Sequence, residues 1–108
     1  MSEFIEATDA DFEEKLKGVP VAIIDYYASW CGSCRMAAPM FKRVANELAL
    51  PIFKIDAEKN ETARSLVEIE NLPTLAIWKD GKIIGSLCTT KEEALKELLK
   101  SHNIMGDK

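Results

Sequence analysis

Cys31 and Cys34 are separated by two residues and lie between an apolar run, Val21-Ala22-Ile23-Ile24, and a segment, 35–48, with helical spacing. A strand therefore feeds a helix at the pair. A cysteine at a helix start faces backbone N–H groups without intrahelical partners and the positive end of the helix dipole. Both favour the thiolate, which is the reactive form. The second cysteine falls about one turn further in, close enough to close a small disulfide ring with the first. Cys31 is thus the candidate nucleophile and Cys34 the candidate resolving thiol. Cys-x-x-Cys also binds metals. Cys31, Cys34, Cys88 and His102 add up numerically to a zinc set. Structural zinc sites generally use two closely spaced pairs, and Cys88 with His102 does not form the second. No metal and no bound cofactor is expected, since the dithiol itself can carry the electrons.

Asp25 interrupts the apolar strand before the pair. A carboxylate inside such a strand is costly unless it has a partner or a task. The task could be to take the proton of Cys34, because a resolving thiol must become a thiolate to attack a mixed disulfide. Burial raises a carboxyl pKa, which suits that role near neutral pH. The other reading is a structural ion pair with Lys54 on the neighbouring strand. The two are compatible.

The elements that must position these residues can be read from patterning. Residues 3–7 form a short, weak strand candidate. Thr8, with Asp11 three residues on, reads as the cap of a helix that carries Phe12 and Leu16 at i, i+4 and stops at Gly18. Residues 21–28 are apolar on both parities, as in a strand covered on both faces. The second helix repeats Met36, Met40, Val44 and Leu48, with Ala37, Phe41 and Ala45 one step on, so both methionines read as core. Pro39 should kink it. Residues 51–56 form a strand that completes a right-handed βαβ unit. Asn60 reads as the cap of a third helix with Ala63, Leu66 and Val67 inward. Residues 73–78 and 82–88 are strands joined through Asp80-Gly81, a hairpin signal. Thr90-Lys91-Glu92-Glu93 reads as a capping box for a last helix with Ala94, Leu95, Leu98 and Leu99 inward. Residues 101–108 read as frayed, and His102 as a cation near the end of that helix. The pattern implies an α/β fold, a mixed sheet with helices on both faces, in one domain spanning 1–108.

At 108 residues, with 47% hydrophobic and 30% charged, the composition is that of a globular chain and not a disordered one. A net charge of −4, without a dense basic run, argues against a nucleic-acid surface. The acidic start, Met1-Ser2-Glu3-Phe4-Ile5-Glu6, does not read as a signal peptide, and no apolar run approaches a membrane span. Three cysteines always leave one over, so the simplest compartment is reducing and cytoplasmic.

From about Phe4 to Leu99 the chain resembles the thioredoxin family. The resemblance rests on Trp30-Cys31-Gly32-Ser33-Cys34-Arg35-Met36 with Asp25 upstream and Pro39 downstream, on Lys54-Ile55-Asp56, and on Asn71-Leu72-Pro73-Thr74-Leu75. It implies the thioredoxin fold: a five-stranded sheet of order 1-3-2-4-5 with the last two strands antiparallel. It implies a protein-disulfide reductase acting by dithiol–disulfide exchange, with electron transport and cell redox homeostasis as its setting. Disulfide-containing protein substrates and a thioredoxin reductase would be its partners, and the protein would be a cytoplasmic monomer. The sequence alone makes Pro73 an ordinary strand-starting proline. The resemblance makes it the cis-proline of a loop facing the dithiol, where the backbone before it pairs with an extended substrate segment. By the same resemblance Trp30, Gly32, Ser33, Leu72, Pro73, Thr74, Cys88 and Thr89 line the substrate surface, with Trp30 its exposed aromatic.

The departures lie close to the chemistry. Ser33 replaces the proline commonest in the family, Tyr27 stands where a tryptophan is common, and Thr89 where a glycine is usual. Cys88 lies just before Thr89, so it reads either as a thiol near the pair or as a small core residue. A non-enzymatic binding module on the same fold is the alternative function, disfavoured because pure binding requires neither a dithiol nor Asp25.

Overall fold

The computed structural model describes residues 3–104. The elements in chain order are β1 (Phe4–Glu6), α1 (Phe12–Leu16), β2 (Val21–Tyr27), α2 (Gly32–Glu47), β3 (Ile52–Asp56), α3 (Glu61–Arg64), β4 (Thr74–Lys79), β5 (Lys82–Cys88) and α4 (Glu92–Ser101). The sheet order is β1-β3-β2-β4-β5. β1 and β2 run parallel to β3, while β4 is antiparallel to both β2 and β5. This is the order and the mixed sheet that the resemblance implies.

Strand alternation sorts the core into two layers. Ala22, Ile24, Tyr26, Phe53, Ile55 and Ala76 meet Phe12 and Leu16 of α1 and Ala63 of α3. Ile23, Ile52, Leu75 and Ile77 meet Ala37, Phe41, Val44 and Ala45 of α2 and Leu95 and Leu99 of α4. Each large side chain so buried contributes about 1.5–3 kcal/mol. Asp25 and Lys54 share the parity of Ile23 and Ile52, so both belong to the face that α2 covers. The β4–β5 hairpin turns through Asp80 at φ 52° and Gly81 at φ 90°. Two successive positive φ values are what a tight two-residue hairpin needs, and Asp-Gly supplies them cheaply.

The helix ends depart from the sequence reading. α2 begins at Gly32, earlier than expected, because the sulfur of Cys31 is its cap and accepts from Cys34 N–H. It continues through Pro39 without a break. Thr8 does not cap α1; instead the Asp11 carboxylate accepts from the Thr8 N–H and hydroxyl. Asn60 makes no capping bond to α3, which is a single turn. Its first-turn donors, Thr62 N–H and Ala63 N–H, go to the Asp9 carboxylate, from the segment that precedes α1. The capping box at Thr90 does not form: Lys91 is the cap residue without a side-chain bond, and the nearest local bond runs from Lys91 N–H to the Thr89 hydroxyl. Within α4, Glu92 and Lys96 form an i, i+4 ion pair at 2.8 Å.

Two residues read as inward face outward. Met36 is 84% exposed and Leu66 44% exposed. Met36 stands two residues past Cys34 in α2, about 200° round the helix from it, and so lies away from the buried side marked by Cys34, Ala37 and Phe41. The tail is more ordered than expected over 101–104. Ser101 closes α4 with a hydroxyl bond to Leu98 O, and Ile104 packs on the α2–α4 core. Residues 1, 2 and 105–108, on which parts of the leader and tail readings fall, lie outside the described residues.

Candidate active site

β2 ends at Tyr27 and the chain turns through Ala28, Ser29 and Trp30 into Cys31, where α2 starts. Cys31 adopts an extended backbone, φ −84° and ψ 102°, the conformation of an N-cap. Its sulfur accepts Cys34 N–H at 3.1 Å and lies 3.4 Å from the Ser33 hydroxyl. No acidic side chain occupies the first turn, so nothing there offsets the helix dipole. Cys31 and Cys34 are joined as a disulfide, with Cα atoms 5.3 Å apart. Both are buried, packed with Ala28, Tyr27 and Leu72. The difference in depth expected between them does not appear as a difference in exposure in this oxidised state. It appears as a difference in neighbours.

Cys34 lines a cleft of about 360 Å³ whose walls include Asp25, Tyr27, Lys54 and Arg35. Asp25 is 2% exposed, and its Oδ1 has no hydrogen-bond partner. Burial raises the carboxyl from its ordinary 3.8 to about 7, against a smaller downward pull from Lys54. Lys54 is its register partner across β2–β3. The expected Asp25–Lys54 ion pair is not among the close ion pairs of the described residues. The Lys54 ammonium sits 3.7 Å from Glu6 instead, over the rings of Tyr27 and Phe4 at 5.1 and 5.7 Å. Their interaction is therefore one through space across the cleft.

The Leu72–Pro73 bond is cis. Leu72 packs on the disulfide, and Thr74 is buried with its hydroxyl on Asn71 O. Trp30 is 64% exposed, with its indole N–H bonded to Glu58. Gly32 and Ser33 lie exposed on the first turn of α2. Thr89 is half-buried just past β5. Cys88 is a free, exposed cysteine, so the core reading fails. It pairs in register with Thr74 and shares a groove with Glu68, Glu70 and Ser86, and it is not among the residues packed on the disulfide. The zinc set does not assemble. His102 lies against Gly85, and among the described residues no three His, Cys, Asp or Glu side chains converge.

Sequence reasoning missed four residues at this surface. Met36 and Thr90 line a shallow groove with Ser33 beside the pair. Glu58 holds Trp30, and Glu6 reaches Tyr27 and Lys54 from β1. Met36 carried a signal, since two residues past an inward Cys34 is about 200° round a helix and so on its opposite side. Glu6 carried none until β1 is placed against β3.

The comparisons agree with this geometry. The Thioredoxin family model matches residues 3–101. The thioredoxin of Staphylococcus aureus is 33% identical over 101 residues, covering 91% of this chain and 96% of that one. Among solved structures, Fasciola hepatica thioredoxin superposes with a TM-score of 0.80 at 30% identity, over 93% of this chain and 99% of that one. A chain of a ferredoxin:thioredoxin reductase and thioredoxin f2 complex gives 0.83 at 25% identity, over 94% and 96%. Among the described residues no helix is long and apolar enough to cross a membrane. A disulfide that caps its own helix, above a buried carboxyl and beside a cis-proline, thus occurs in a chain that belongs to the thioredoxin family, the protein-disulfide reductases, with Cys31 and Cys34 as its redox pair.

Proposed function

We propose that Cys31 is the attacking thiolate, Cys34 the resolving thiol and Asp25 the group that takes the Cys34 proton, with Lys54 tuning it. In the reduced protein the Cys31 thiolate attacks one sulfur of a substrate disulfide. A Cys31–substrate bond forms, the substrate S–S bond breaks, and the first substrate thiolate leaves and is protonated. Asp25 then accepts the Cys34 proton, directly or through water in the cleft, which has room for several. The Cys34 sulfur attacks Cys31, closing the intramolecular disulfide and releasing the second substrate thiol. Two electrons pass from the dithiol to the substrate, and no metal or organic cofactor enters the balance. The observation that carries this assignment is the difference in neighbours: Cys34 shares the cleft with Asp25, whereas the Cys31 sulfur accepts a helix N–H and faces Ser33.

The same reading gives the substrate a docking surface. An extended segment adds alongside Leu72, Pro73 and Thr74 by backbone pairing, which reads shape more than side chains. Trp30, Gly32, Ser33 and Thr89 frame it, with Cys88 at its margin and Met36 and Thr90 extending it across α2. A thioredoxin reductase returns the electrons; a thioredoxin f2 in a complex with such a reductase is a structural relative. The protein would act as one domain and as a cytoplasmic monomer. Trapping tests the assignment. Cys34→Ser should accumulate a mixed disulfide through Cys31, and Cys31→Ser should form none. Equal trapping by both variants would overturn it.

A further inference from the structure

One row of the sheet carries three charged residues on the α2 face. Glu6 is the register partner of Lys54 across β1–β3, and Lys54 of Asp25 across β2–β3. Lys54 stands between two carboxyls and is held toward one of them. Its ammonium is 3.7 Å from Glu6 Oε1 and lies over the Tyr27 and Phe4 rings. The other Glu6 oxygen accepts the Tyr27 hydroxyl at 2.8 Å, which fixes the Glu6 carboxylate in place. Burial first, and Glu6 second, raise the Tyr27 phenol, so it stays protonated and remains a donor. Asp25 has an oxygen with no hydrogen-bond partner, although a cation lies across the same cleft.

We propose that Glu6, held by Tyr27, is a positioning residue for the dithiol chemistry: it keeps the Lys54 ammonium off the Asp25 carboxyl and so leaves Asp25 free to take the Cys34 proton. An ammonium moved onto Asp25 would favour the charged carboxylate and weaken it as a base. The Glu6 charge acts in the same direction, by partly neutralising Lys54. The other charged or titratable groups around the cleft are Cys34 and Arg35 from α2 and Tyr27 from β2, while β4 presents the apolar Leu75 in register with Asp25. Arg35 is itself turned to Ser29 O at 2.8 Å, which leaves Lys54 as the cation that Glu6 controls. This rests on the reading of Asp25 as proton acceptor, but it can be tested without it.

The test is a direct titration of the Asp25 carboxyl by carbon NMR in the full-length oxidised protein. Glu6→Gln keeps shape and removes the charge; it should lower the Asp25 midpoint by about one pH unit, a tenfold change in proton affinity. Tyr27→Phe should lower it in the same direction by less. Lys54→Met should raise it, and in that background Glu6→Gln should have little further effect. An unchanged midpoint in Glu6→Gln, or a fall undiminished in the double variant, overturns the positioning role. Release of a trapped mixed disulfide, followed against pH, then reads the reaction: its midpoint should move with the carboxyl. If Asp25→Asn releases substrate as fast as the parent while the titrations behave as stated, the proton-acceptor reading fails and the Glu6–Lys54 relation stands.

Discussion

Cys34 N–H donates to the sulfur of Cys31 at 3.1 Å, so the residue that would attack substrate is also the cap of α2. The two duties can be separated by side-chain choice. Serine is among the best N-caps and alanine among the poorest. Cys31→Ser and Cys31→Ala both lose the disulfide and the chemistry, but only the second loses the cap. The expected result is two inactive proteins whose stabilities to urea differ by about 1 kcal/mol in favour of serine. Equal stability would mean that the sulfur contact does not hold the helix start.

Asp25 makes stability depend on pH in a calculable direction. Its carboxyl titrates near 3.8 when exposed and near 7 when folded. Between those values the folded chain binds a proton that the unfolded chain has lost. The contribution is therefore fully present below about pH 4 and is lost as pH rises through about 7. Three units correspond to about 4 kcal/mol as an upper figure. Asp25→Asn has no such term. Its stability gain over the parent should be small at pH 4, grow through neutrality and level off by pH 8, as chemical denaturation would show. A gain independent of pH would indicate that burial does not raise this carboxyl. Release of a mixed disulfide should be slowed in the same variant.

The layout was legible where physics is local. Four apolar residues and then Asp25, a strand feeding Cys31, and Asp80-Gly81 between two apolar runs all speak within a few positions of themselves. Strand order came from the resemblance and not from spacing. The failures share a cause: the partner lies far along the chain. Asp9 supplies the bonds that Asn60 was expected to make, and Glu6 takes the ammonium expected at Asp25. A capping pattern such as Thr90-Lys91-Glu92-Glu93 names residues able to cap, whereas backbone direction at Lys91 decides whether they do. Met36 continues the four-residue repeat of Met40 and Val44, but each such step drifts about 40° round the helix, which carries Met36 off the side buried through Cys34, Ala37 and Phe41.

His102 and Gly85 form a contact that spacing could not reveal. The imidazole Nε2 lies where a β-carbon on Gly85 would have to go, next to the register shift at Ile77 and Trp78. Gly85→Ala should therefore displace the ring that follows α4 and cost about 1–2 kcal/mol by overpacking. Because the obstacle is one side chain and no backbone, Gly85→Ala combined with His102→Ala should recover most of the loss. Thermal unfolding of the single and double variants measures both, and failure of the second change to restore stability would place the conflict in the strand itself.

Ser33 is the departure nearest the sulfurs, and its hydroxyl lies 3.4 Å from the Cys31 sulfur. In the disulfide neither sulfur has a proton, so the hydroxyl is the donor. On reduction the Cys31 thiolate is a stronger acceptor, and the bond should tighten. An interaction stronger in the reduced form makes the couple more oxidising. One hydrogen bond to a charged group is worth about 1.5 kcal/mol, or roughly 30 mV for two electrons. Ser33→Ala removes the hydroxyl alone and should move the potential more negative by up to about 30 mV. Ser33→Pro also removes a backbone donor and restricts the turn, so it should move the potential further in the same direction. In both variants the pH at which Cys31 reaches half-maximal alkylation should rise. Equilibration of all three proteins in one series of glutathione buffers reads the potentials side by side. A potential unchanged in Ser33→Ala but shifted in Ser33→Pro would assign the effect to backbone and remove the hydroxyl from it; no shift in either would mean that Ser33 leaves the couple untuned.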